Sequence, residues 1–145
     1  EARVEMKRGR CVDRFNIDFS SPSNYSDAIL IVEGENLHVG RQILAFHSSF
    51  FETLFYGSFK ESNQPEITLQ DVNIEDFTNL LKIIYRDEEA LHCYWEGVLP
   101  LVDRFDMKHI RYEIEMLQIK EWVDCDYNRE FMMPLAERYN LGFLL

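Results

Sequence analysis

The sequence has few of the residues from which disulfide frameworks, metal centres and phosphate cradles are built. Three cysteines, Cys11, Cys93 and Cys125, stand far apart with no CxxC spacing, which excludes a disulfide scaffold. Of the four histidines, His38 and His47 lie among apolar neighbours, His92 adjoins Cys93 and His109 is alone. None has the spacing of a tetrahedral zinc site, so no metal is expected. Six glycines are scattered at turns, and GxSxG, HExxH and a phosphate-binding glycine loop are all missing. Ser48 and Ser49 follow His47, but adjacent helical residues do not face each other, so they are expected to be structural. An enzyme is therefore not expected, nor a cofactor.

Positive charge is also short. Fifteen Lys and Arg face 26 Asp and Glu, a net charge of −11, which repels nucleic acid. The one basic cluster, Lys7-Arg8-Gly9-Arg10, is read as a solvated terminus. No signal peptide and no apolar run near about 18 residues is present, so the expectation is a soluble chain, cytoplasmic or nuclear, without a membrane partner. The first residue is Glu rather than Met, which suggests a fragment of a longer protein.

Apolar residues make up 46% of the 145, eleven of them Phe, enough for the core of one domain with or without an appendage. The chain is organised around residues 27–62. Ala28-Ile-Leu-Ile-Val32 is short, apolar and β-branched, the profile of a strand buried on both faces. Glu33-Gly-Glu-Asn36 turns it into a second strand at Leu37-His-Val39, a β-hairpin. From Arg41 the period becomes helical. Ile43, Phe46, Phe50 and Leu54 form one stripe, and Leu44, Phe51 and Phe55 a second. One central helix, packed on both sides and ended at Gly57, is expected.

Upstream, Phe15, Ile17 and Phe19 alternate with polar residues as a half-buried strand that must pair with something, closed by the loop Ser20-Ser-Pro-Ser-Asn24. Downstream, Glu66-Ile-Thr-Leu69 alternates as a third strand. Asn73 is placed to cap a helix carrying Ile74, Phe77, Leu80, Leu81 and Ile84. Arg86-Asp-Glu-Glu89 reads as a solvated turn. Leu99-Pro-Leu-Val-Asp-Arg-Phe-Asp-Met107 is echoed by Met133-Pro-Leu-Ala-Glu-Arg-Tyr-Asn-Leu141, so two helix–turn–helix units are expected. Pro100 and Pro134 should then lie in a first turn or mark a kink, because an interior proline costs about 3 kcal/mol. The second helix of the first unit should run from Lys108 to near Trp122, with Ile110, Ile114 and Leu117 inward.

Asp27 opening a buried strand, Leu37-His38 in the second strand, Arg41-Gln-Ile-Leu-Ala45 leading into Ser48-Ser-Phe-Phe51, and Phe59-Lys60-Glu61-Ser62 before the third strand form an ordered series. The series resembles the BTB (POZ) domain. The resemblance implies an α+β fold, a small sheet capped by helices, over residues 26–120. Residues 1–25 would be an N-terminal extended segment, and 121–145 the start of a C-terminal helical extension. It further implies a homodimer, with Phe15, Ile17 and Phe19 at the interface or exchanged between subunits, unless they add an extra strand to their own domain. Asp27 and Arg41 would line a charged pocket there, unless they form a structural ion pair that fixes the hairpin. In the BTB adaptors that recruit cullin-3, the loop at Phe59-Lys60-Glu61 carries a hydrophobic-X-Glu motif. Phe59 either anchors that partner or folds back onto its own core. A substrate protein would be held by a module outside the chain, such as a MATH domain. The alternative is a BTB oligomerisation scaffold that binds no cullin.

Overall fold

A computed structural model describes residues 17–58, 64–124, 133–134 and 137–138. Two strands, β1 (Ala28–Val32) and β2 (Glu35–Val39), form the expected hairpin. Their connection is a two-residue turn in which Glu33 (φ 49°) and Gly34 (φ 81°) are both left-handed, the type I′ geometry that matches strand twist. A third strand, β3 (Glu66–Leu69), lies parallel on the other side of β1, so the sheet order is β2-β1-β3. Leu30 sits opposite both Leu37 and Ile67 and is fully buried. The two-faced burial expected of β1 is corrected: Ala28, Leu30 and Val32 are buried, whereas Ile29 and Ile31 are only half covered.

The expected central helix is two helices, α1 (Arg41–His47) and α2 (Ser49–Tyr56), broken at Ser48. Ser48 takes an extended conformation, and its Oγ accepts the Phe51 N–H (3.2 Å) as a helix cap. The same hydroxyl donates to the carbonyl of Phe105 at 2.5 Å. Ser49 Oγ donates to Asp106 Oδ2 at 2.8 Å. Both serines are thus structural, tied to a distant joint.

Helix α3 (Ile74–Ile84) starts where expected, with Asn73 Oδ1 accepting the Asp76 N–H at 3.0 Å. Two further helices come next, α4 (Glu88–Arg104) and α5 (Lys108–Asp124). The solvated turn expected at 86–89 is corrected. Only Arg86 turns the chain; Asp87 caps α4 by accepting the Ala90 N–H (3.1 Å), and Glu88 and Glu89 fill its first turn. Pro100 is likewise not in a first turn. The helix reaches back to Glu88 because Ala90, Trp95 and Val98 are buried. Glu96, whose carbonyl loses its helical donor to the proline, and Pro100 are both exposed to water. On α5, Ile110 and Ile114 are fully buried but Leu117 is only half buried. Glu115 and Gln118 are buried beside them, which the apolar pattern did not anticipate. Of the second repeat, residues 133–134 and 137–138 are helical, and the rest lies outside the described residues.

The α3–α4 and α4–α5 joints are built alike. Arg86 (φ 71°) and Asp106 (φ 51°) stand left-handed just past each helix end. Asp87 N–H reaches Lys82 O (2.9 Å), and Met107 N–H reaches Val102 O (2.9 Å). This is the Schellman closure, made twice without glycine. The core is aromatic at its centre. Phe51, Phe77 and Phe105 are fully buried, with Phe51 and Phe105 ring centroids 5.0 Å apart.

Candidate functional site

The turn from β2 into α1 is where the sequence-derived site residues meet. Gly40 precedes the helix and has no side chain to cap it. A larger residue does not fit, because a Cβ at Gly40 would lie 2.5 Å from the backbone oxygen of Tyr25. The missing cap comes from the neighbouring strand. Asp27 Oδ1 accepts the backbone N–H of Arg41 at 2.7 Å, placing a carboxylate at the positive end of α1. Tyr85, just past the end of α3, completes the joint by accepting the Gly40 N–H on its hydroxyl at 2.8 Å. Burial pushes the Tyr85 phenol above its ordinary pKa, partly opposed by that hydrogen bond.

Arg41 turns its guanidinium over the Phe55 ring (5.7 Å) and donates to Gln64 O at 3.3 Å. Asp27, Arg41, Gln42, Ile43, Tyr85 and Ile17 line an open cavity of about 590 Å³, and Tyr25, 72% exposed, stands at its rim. The structure therefore brings Asp27 and Arg41 together in a pocket, with Asp27 also acting as a helix cap. Sequence reasoning missed Gly40, Tyr25 and Tyr85. A tyrosine directly following the apolar helix residues Ile74, Phe77, Leu80, Leu81 and Ile84 was the one available signal.

The remaining site residues are distributed differently. Phe19 is 4% exposed and packs edge-on against Tyr85 (5.1 Å) within its own fold. Ile17 is half-buried. Residues 17–19 form no strand: their tie to the sheet is one bond, His38 N–H to Phe19 O at 2.7 Å. The alternating-strand expectation is corrected there, because the chain turns at Phe19 and Ser20 before a ladder can form. Phe15 and Phe59, Lys60 and Glu61 lie outside the described residues. One apolar stripe faces water: Phe46 is 76% exposed and Phe50 41%. Among the described residues no group of His, Cys, Asp and Glu could hold a metal, and no helix is long and apolar enough to cross a membrane.

The model of the BTB/POZ domain family matches residues 17–121. "BTB and MATH domain-containing protein 36" of Caenorhabditis elegans is 35% identical over 128 residues, covering 87% of this chain and 39% of that protein. "BTB and MATH domain-containing protein 15" of the same organism is 40% identical over 87 residues, covering 60% and 32%. The chain thus spans well under half the length of these relatives. Among solved structures, the BTB domain of zebrafish PATZ1 aligns with a TM-score of 0.49 and 18% identity, covering 66% of this chain and 76% of that one. A match from Ile17 to Glu121 takes in every strand, the pocket at Gly40 and nearly all of α5, and so the chain belongs to the BTB/POZ family, whose domain is an α+β module for protein–protein interaction.

Proposed function

We propose that the chain is a homodimeric adaptor that recruits a cullin-3 ubiquitin ligase to a substrate protein, in the cytoplasm or nucleus. The substrate would be held by a module outside this chain, in keeping with the MATH domain named in its relatives. Self-association is supported by α1, which exposes Phe46 and also carries Arg41, Gln42 and Ile43 of the pocket. The observation that carries the cullin reading is the position of Phe59-Lys60-Glu61. The triplet lies between α2 and β3, in the register where family adaptors carry a hydrophobic-X-Glu motif. The described residues on either side of the triplet are secured: Gly57 N–H bonds Thr53 O at 2.9 Å, and Gln64 O accepts from Arg41. Phe59 is the hydrophobic anchor and Glu61 the polar partner at its rim.

The test is cullin-3 binding by Phe59→Ala, measured alongside its melting temperature. Loss of a buried anchor should weaken binding by about 2 kcal/mol, roughly thirtyfold, while stability holds. A collapse in melting temperature would instead place Phe59 in its own core. Unchanged stability with unchanged affinity would leave the oligomerisation scaffold as the function.

A further inference from the structure

The segment Ile17–Phe19 is a strap across the mouth of the fold. Ile17 lines the cavity at Gly40 and also a second cavity of about 650 Å³ between β2 and α3, so the strap is the wall between the two. Its backbone tie to the sheet among the described residues is the bond from His38 N–H to Phe19 O, and the buried Phe19 ring holds it against Tyr85. Around Phe19 the chain closes a clasp on one carboxylate. Asp18 Oδ1 accepts the Ser20 N–H (2.9 Å) and the Ser20 hydroxyl (2.6 Å), and Asp18 Oδ2 accepts the Ser21 hydroxyl (3.3 Å). The Ser20 hydroxyl is the main reason the Asp18 carboxyl lies below its usual range, so the clasp is anionic at neutral pH.

Ser21 is exposed and is followed by Pro22, also exposed. Ser20, Ser23 and Ser26, in the same loop, are followed by Ser, Asn and Asp. We propose that Ser21 is a phosphorylation site for a proline-directed serine kinase, and that phosphorylation releases the strap from the edge of β2. In the transfer, Ser21 Oγ attacks the γ-phosphorus of ATP. The Oγ–P bond forms, the bridging bond to the β-phosphate breaks, ADP leaves, and the hydroxyl proton passes to the kinase's carboxylate base. The product replaces a donor to Asp18 with a group carrying about −1.5 to −2 charges. Two anions then face each other where a hydrogen bond stood, and their repulsion strains the two bonds from Ser20 that hold Asp18 against the strap.

The experiment treats the full chain with a proline-directed serine kinase and ATP, and maps the phosphoryl group by mass spectrometry. One group on Ser21, lost in Ser21→Ala and in Pro22→Ala, is expected. Amide exchange at His38 should then quicken by about fivefold or more, reporting strap opening. In Asp18→Asn, where the facing charge is gone, phosphorylation should leave that rate nearly unchanged. No incorporation, or incorporation at Ser20 or Ser23 instead, overturns the site. Phosphorylation at Ser21 with His38 exchange unaltered overturns the release.

Discussion

Two apolar stripes run along α1 and α2, and the fold treats them in opposite ways. Leu44, Phe51 and Phe55 are buried, two of them completely, whereas Phe46 and Phe50 on the other stripe meet water. Composition does not separate them, since each stripe carries two phenylalanines. The difference is what lies opposite. The rings of Phe77 and Phe105 close over Phe51, while among the described residues Phe46 meets the edge of His47 at 5.3 Å and Phe50 reaches one side of Phe105 at 5.1 Å. An aromatic stripe therefore reports a surface that can be buried, and neighbouring elements of the same chain decide whether it is.

The comparison breaks most visibly at its buried end. Phe51→Ala should cost about 3–5 kcal/mol, read as a large loss in denaturant or thermal unfolding. Next comes the joint from which α1 starts. Gly40→Ala drives a methyl onto the Tyr25 carbonyl, and an unfolding midpoint lower by about 1–3 kcal/mol is expected. A smaller effect belongs to His47, at the end of α1 between the stripes. Among the described residues its Nδ1 is buried without a hydrogen-bond partner. Burial is the main cause that lowers its pKa below the ordinary value; Glu113 opposes this, and His109 and Arg86 add to it. The unfolded chain then holds that proton more tightly. The stability His47 allows is full above about pH 6.5 and falls as the pH drops toward its lowered folded value. Unfolding midpoints between about pH 7.5 and 5.5 should slope less in His47→Gln than in the parent chain. Least affected should be Phe46→Ala, whose stability should stay within about 0.5 kcal/mol while dissociation of the proposed dimer, measured by sedimentation, increases. A large stability loss in that variant would mean the two stripes are not different after all.

Local chemistry was legible in the sequence, and long-range ties were not. The hairpin, β3 and the Asn73 cap came from alternation, a glycine turn and a capping residue, all within a few neighbours. The break at Ser48 did not, because the apolar period runs through it unbroken. There Ser48 caps α2 and is held by the Phe105 carbonyl, 57 residues away. Asp87 was hidden in a run of charge that reads as solvent-facing, though its position before Ala90 makes it a cap. Asp27 and Arg41 were found through the family resemblance. Tyr85, which lines the same pocket, was not, because its role depends on Gly40 having no side chain to spare.

The bonds from Ser48 and Ser49 to Phe105 and Asp106 have a mechanical consequence. They pin the corner between α1 and α2 to the corner between α4 and α5, so these two bends behave as one pivot. Torque applied through α5, the helix leading toward the C-terminus, is delivered at the residue where α1 stops. A rotation of α5 about that joint would therefore be felt first at the end of α1 that carries Phe46.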